Sequence, residues 1–228
     1  MALDTFKPAL IIVDLQEDFC PPNGALAVPN VRDIIAFVNQ LLKLPFTIKV
    51  ATKDWHPTDH ISFAANHLDK KPFIDVTTIT NPANENEKYE SRLWPVHCVQ
   101  NTPGAELVPE LHVDKIDRIV EKGTRKEVEM YSAFYDPLVS PRCSDSGLAS
   151  LLRENEITDC FVVGLAFDYC VKATALDSAK EGFKTWVVGE ATRAVDATVW
   201  EEVVVELKAG GVQVVELSGE EVEKVRSL

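Results

Sequence analysis

Three side chains that lie far apart in the chain carry the groups of an activated nucleophile. Asp14 follows the apolar run "LIIV", Lys122 closes "IVEK", and Cys170 sits in "GLAFDYCVKATA", between an apolar run and a helical pattern. A thiolate attacks carbonyl carbon, a nearby carboxylate takes and returns the thiol proton, and an ammonium holds both charges in place. Taken singly, each has an ordinary reading: a helix cap, a surface lysine, a packed core thiol. Together they describe a nucleophile with its base and its charge stabiliser. A thiol at a helix N-terminus beside a cation is expected to have a lowered pKa and to be thiolate near neutral pH.

A second set has different chemistry. "KDWHPTDHISF" places Asp54 two residues before His56, and "LWPVHC" adds His97. One carboxylate and two imidazoles suit Zn²⁺ or another divalent transition metal, with positions left open for water or substrate. Such spacing also arises by chance, so it is suggestive on its own and no more. His60 reads as a structural neighbour of the set rather than a ligand. Cys98 follows His97 directly, so on an extended chain its side chain points the other way. His67 and His112 read as surface residues. Phe19, Trp55, Trp94, Tyr131 and Tyr169 lie close in sequence to these groups. Each alone reads as core packing; as a set they could wall a flat aromatic ligand.

These groups need a frame. "ALIIVD" (9–14) is a continuous apolar run, the pattern of a strand covered on both faces. Further strands are read at 46–52, 115–122, 160–165, 185–190 and 212–217, and helices at 31–43, 144–155, 171–182 and 199–211. Asn30 is a candidate N-cap, and Gly210 and Gly211 are stop signals. Alternation of strand and helix predicts an α/β fold: three layers, α/β/α, around a mostly parallel six-stranded, Rossmann-like sheet. In such sheets ligands bind outside the carboxyl ends of the strands. Asp14, Asp54, Lys122 and Cys170 all fall there. The pattern breaks at about 54–115, an irregular stretch with a polar tract, "NPANENEKYE". With no repeat and no linker, the expectation is one domain over 1–228 carrying a long insert that serves the metal and substrate site.

The bulk composition narrows the partners. The 228 residues are 46% hydrophobic, enough for a sizeable core. Lys and Arg number 23 against 36 Asp and Glu, a net charge of −13. Such a surface repels phosphate backbones, so nucleic acid is not expected as a partner. No run has the apolar length of a membrane span, and the N-terminus lacks the regions of a signal peptide. Five irregularly spaced cysteines do not form a disulfide framework. The expectation is a cytoplasmic protein, with nucleus and peroxisome left open, and a homo-oligomer equally open.

The segments "VDLQEDF", "KDWHPTDHISFA", "LWPVHCV", "EKG", "YSAF" and "GLAFDYCVKATA" run in this order through nearly the whole chain. Jointly they resemble the nicotinamidase branch of the isochorismatase-like cysteine hydrolases, and its fungal members most of all. The resemblance implies a catalytic triad of Asp14, Lys122 and Cys170, and a metal on Asp54, His56 and His97 that binds the pyridine nitrogen of nicotinamide. It implies a ring site among Phe19, Trp94, Tyr131 and Tyr169. It also implies a cis peptide at Leu165–Ala166, which aims the N–H groups of Ala166 and Cys170 at an oxyanion. Phe167 departs from the small polar residue many relatives have there. Asp168 is read as holding the turn. The implied activity is hydrolysis of nicotinamide to nicotinate and ammonia through a cysteine thioester, in NAD salvage. The rival readings are a metal-independent isochorismatase-like or carbamoyl hydrolase, and an inactive paralogue that serves as a binding module.

Overall fold

The computed structural model describes residues 6–228. Its centre is a six-stranded sheet in the order β5-β2-β1-β6-β7-β8. The strands are β1 (Pro8–Val13), β2 (Ile48–Asp54), β5 (Arg118–Lys122), β6 (Asp159–Leu165), β7 (Lys184–Arg193) and β8 (Gln213–Val215). Every pairing is parallel. β1 is buried along its full length, as its unbroken apolar run requires. Alternate residues of β1 enter opposite layers. Leu10 and Ile12 pack with α1 (Ile34–Leu41) and α5 (Glu220–Arg226). Ala9, Ile11 and Val13 pack with α2 (Leu148–Glu154), α3 (Lys172–Lys180) and α4 (Trp200–Ala209). This is the three-layer α/β/α arrangement.

The chain order fixes where a crevice opens. From β1 the sheet grows outward through β2 to β5; the chain then returns to the other side of β1 and grows through β6, β7 and β8. The direction reverses between β1 and β6, and a crevice at the carboxyl ends of such a pair is the usual ligand position. Asp14 and Cys170 follow these two strands. Gly164 lets them come together, because a Cβ there would lie 2.1 Å from the Val13 carbonyl oxygen.

Some local expectations fail for physical reasons. Helix α1 starts at Ile34 after a 3₁₀ turn at Val31–Asp33, and Asn30, in the left-handed region at φ 58°, makes no side-chain cap. The irregular stretch contains an antiparallel hairpin, β3 (Val76–Asn81) with β4 (Asn84–Arg92). The polar tract forms its turn and second strand, and β4 is largely exposed, so no apolar alternation marks it. Helix α5 closes the chain, its buried Val222 and Val225 covering one face of the sheet.

Candidate active site

The strand ends deliver three groups to one buried point. Asp14, one residue past β1, has φ 46° and is fully buried. Thr52 holds it at both ends: its Oγ1 accepts the Asp14 N–H at 3.1 Å and donates to Oδ1 at 2.6 Å. The other carboxylate oxygen, Oδ2, accepts no hydrogen bond among the described residues and lies 2.9 Å from Lys122 Nζ as an ion pair. Lys122 is the one buried residue of edge strand β5. Its Nζ donates to Asp54 Oδ1 at 2.5 Å, to the Met130 carbonyl at 3.2 Å and to Cys170 Sγ at 3.5 Å. Burial opposes this ammonium, but Asp14 and Asp54 outweigh it and hold its pKa well above the ordinary lysine value.

Cys170 lies in a π-helical turn, Phe167–Val171, that precedes α3. The expectation of a lowered thiol pKa does not survive the structure. Burial pushes the Cys170 thiol up, Lys122 pulls it down, and Asp14, Asp54 and Glu129 raise it further, leaving it well above the ordinary cysteine value. The neutral thiol is the resting form, and it needs a base. Asp14 is suited to that, because burial and the Asp54 charge raise its pKa to about 6. The acceptor atoms of Asp14, Asp54 and Cys170 all lie within 4.8 Å of one another. Ahead of the thiol, the Leu165–Ala166 peptide is cis. Phe167 is buried and stacks on Trp200 at 3.9 Å. Asp168 accepts the N–H groups of Val195 and Asp196 at 2.9 and 3.0 Å, which ties the turn to the end of β7.

Asp54, His56 and His97 also meet, with one donor atom from each within 4.8 Å of the others. The imidazole tautomers follow from their partners. His56 Nδ1 is 2.8 Å from the Gly123 carbonyl and His97 Nδ1 is 2.8 Å from the Pro95 carbonyl, so each Nδ1 carries the proton. In the neutral rings each Nε2 then carries the lone pair, as ligation through Nε2 requires. Burial and His56 lower the His97 pKa to about 4, which keeps it neutral. Burial opposes a charge on His56, but Asp54 outweighs it and raises the pKa, so this notch attracts positive charge. Two open imidazole nitrogens and a carboxylate fit a divalent ion. Gly123 makes the approach possible: its φ is 64°, and a Cβ there would lie 2.4 Å from the His56 ring.

His60 is stacked on His56 at 4.1 Å, with Nδ1 on Ser62 Oγ and Nε2 on the Val128 carbonyl. Both nitrogens are engaged, which leaves none for a metal. Cys98 is fully buried at φ 46°, and its N–H donates to Asp18 Oδ2 at 2.7 Å. His67 and His112 are half-buried rather than on the surface. The two sets that sequence separates are joined by Asp54, which offers Oδ1 to Lys122 while Oδ2 lies 3.7 Å from His56 Nε2.

One cleft of about 380 Å³ of atom-free space, open mouth included, is lined by Phe19, Trp94, Tyr131 and Tyr169 together with Asp54, His97, Ala166 and Cys170. Trp94 and Tyr169 meet edge to face at 4.8 Å. The Trp94 indole N–H donates to Tyr131 Oη at 3.0 Å. Trp55 is not among the lining residues; the Lys53 ammonium sits 4.1 Å from its ring centre. Sequence reasoning missed Glu129, buried in the same wall, and Gln16. The Gln16 amide donates to the Asp54 and Ala105 carbonyls at 2.8 and 2.9 Å and accepts the Asp54 N–H at 2.8 Å. Gln16 sits inside "VDLQEDF", two residues after Asp14, and that proximity was its only signal.

The isochorismatase domain family matches residues 8–218, and the chain belongs to that family. A nicotinamidase from Acinetobacter baylyi is 40% identical over 210 residues, covering 90% of this chain and 90% of its own. The crystal structure of the yeast nicotinamidase Pnc1p bound to the inhibitor nicotinaldehyde has a TM-score of 0.85 at 37% identity, covering 92% of this chain and 99% of that one. A pyrazinamidase of Pyrococcus horikoshii in complex with zinc has a TM-score of 0.70 at 36% identity, with the same two coverages of 92% and 99%.

Proposed function

We propose that this chain is a nicotinamidase that hydrolyses nicotinamide to nicotinate and ammonia. The observation that carries the reading is a single cleft whose wall holds a buried thiol, a ring-sized aromatic set and two of the three candidate metal ligands, in a chain 40% identical to a nicotinamidase. Cys170 Sγ attacks the carboxamide carbon. Asp14, ion-paired through Oδ2 with Lys122 at 2.9 Å, accepts the thiol proton and hands it to the leaving nitrogen. Asp14 then takes a proton from the water that cleaves the thioester. Lys122, close to Asp14 and Cys170 at once, balances their charge through both halves. The N–H groups of Ala166 and Cys170 receive the oxyanion; one such donor is typically worth about 3 kcal/mol.

Phe19, Trp94, Tyr131 and Tyr169 hold the ring. Asp54, His56 and His97 would hold a divalent ion, zinc in this reading, which would supply a Lewis-acidic position for the pyridine nitrogen. The relative from Pyrococcus horikoshii was solved with zinc, which supports that choice. We read the chain as one domain with an insert at 54–115, working in the cytoplasm in NAD salvage. Among the described residues no helix is long and apolar enough to cross a membrane. The test is ammonia release from a panel of small carboxamides, with metal analysis of the purified protein. Turnover of nicotinamide with a bound divalent ion is expected; turnover of a carbamoyl substrate instead, without metal, overturns the reading.

A further inference from the structure

The proposed reaction sets a problem of passage. In its first half a C–S bond forms, the C–N bond breaks, and the thiol proton leaves on ammonia. The acyl group stays on Cys170 with its ring among Phe19, Trp94 and Tyr169. In its second half a water oxygen bonds to the same carbon, the C–S bond breaks, and a proton returns to sulfur. Ammonia must therefore leave, and water arrive, while the ring still fills the aromatic cleft.

A second cleft lies against the first. Ser132, Asp136, Arg142, Ala173 and Asp177 help to line it, and its atom-free space is about 550 Å³, open mouth included. Glu129 and Tyr131 line both clefts, so the partition between them is one residue thick. The rear lining is mixed: tyrosine, proline and aliphatic side chains alternate with Ser132, Asp136, Asp177, Arg142 and Lys180, which offer hydrogen bonds to small polar molecules. Hydrogen bonds fix the Glu129 backbone and one oxygen of its carboxylate. Tyr89 Oη donates to the Glu129 carbonyl at 2.8 Å and accepts the Glu129 N–H at 3.0 Å. Glu129 Oε1 accepts the Met130 N–H at 2.9 Å. Oε2 accepts no hydrogen bond among the described residues, which leaves one carboxylate oxygen in the partition itself.

Resting on the nicotinamidase reading, we propose that the Glu129–Tyr131 partition is the passage by which ammonia leaves and water reaches the acyl-enzyme, through the rear cleft. Glu129 Oε2 is the acceptor that lines it. The test fills the rear cleft without touching the front. Ala173→Phe does so from α3, and Val139→Trp from the facing loop, where Val139 is 67% exposed and a larger side chain leaves the core alone. Both variants are checked by thermal melting. In rapid-quench experiments with nicotinamide, kcat should fall about tenfold, as expected when passage becomes limiting. Acyl-enzyme should accumulate, seen by intact mass. Folded variants that keep kcat within about twofold of the parent, or lose it with no acyl-enzyme accumulating, overturn the passage. If Ala173→Phe does not fold, Val139→Trp decides. Absence of nicotinamide turnover in the parent enzyme overturns the underlying reading instead.

Discussion

The sheet rim and the loops above it hold their groups by different means. Asp14 and Lys122 stand at strand ends and Cys170 in the turn after β6, so the ladder of a parallel sheet sets their spacing. His97 and Trp94 stand in the insert, outside the sheet, and scattered hydrogen bonds between loops place them. The Asp18 carboxylate takes the Cys98 N–H, Gly104 comes so close to that carboxylate that a Cβ would lie 2.2 Å from it, and Tyr131 takes the Trp94 indole. Asp54 and Gln16 join the two regions. The difference separates two jobs. On the proposed reading, the rim would fix what bond is attacked, and the insert which molecule is presented to it.

If this division holds, rim substitutions should strike turnover hardest. Cys170→Ala should lower kcat on the order of 10⁴-fold or more, because no other group can form the thioester. Its melting temperature should stay near that of the parent, since the smaller residue adds no bulk in a buried turn. Comparable activity in the variant would break the covalent mechanism. Asp14→Asn keeps the shape but cannot take the proton, and should cost about 10³-fold in kcat. The pH profile carries the same signature. Asp14 titrates at about 6, and only its carboxylate form accepts the thiol proton. kcat/KM should therefore fall as pH drops through about 6, and Asp14→Asn should lose that limb.

The rim was also the part legible in sequence. Buried parallel strands write themselves as unbroken apolar runs, so "ALIIVD" and "CFVVGL" are visible; Asp14 stands out at the end of the first, and Cys170 follows the second within five residues. The insert writes no such pattern. Its hairpin is largely exposed and its polar residues look like loop. Gln16, Thr52 and Glu129 were hidden for another reason. They act through bonds to residues 38 or more positions away, or through burial in a shared wall, and a single sequence does not display those distances. The thiol's pKa was misjudged because helix position is local and readable, whereas the desolvation that outweighs it comes from the whole packed site.

Changes addressed to the insert should alter substrate choice before turnover. The ring places its nitrogen and its carboxamide carbon at a fixed separation, and Asp54 and His97 of the notch line the same cleft as Cys170. Nicotinamide and pyrazinamide both carry a nitrogen meta to the carboxamide. Isonicotinamide, picolinamide and benzamide do not. Misplacing the reacting carbon by about 1 Å costs roughly 100-fold, so kcat/KM for these three should fall by about that factor. Removing the metal with a chelator should erase the preference by weakening the two good substrates. Benzamide turned over as well as nicotinamide would show that the notch does not orient the ring.

The finest comparison pairs a conservative change at a residue that holds the insert's Trp94 with one on the rim. Tyr131→Phe removes the oxygen that accepts the Trp94 indole N–H and lies 3.2 Å from Ser91 Oγ. A buried donor left without a partner costs about 1–3 kcal/mol. Part of that falls on the free enzyme as well as the complex, so KM for nicotinamide should rise only about fivefold, with kcat nearly unchanged. Thr52→Val is its counterpart on the rim. It removes the hydroxyl that bonds both the N–H and Oδ1 of Asp14, and it leaves the aromatic cleft as it was. Its effect, also about fivefold, should fall on kcat and should move the acidic limb of the pH profile upward, because a carboxylate that loses a donor is protonated more readily. Steady-state kinetics on the two variants, read as separate kcat and KM values, decide the matter. Should Thr52→Val change KM alone, or Tyr131→Phe change kcat alone, the rim and the insert do not divide the work as their construction suggests.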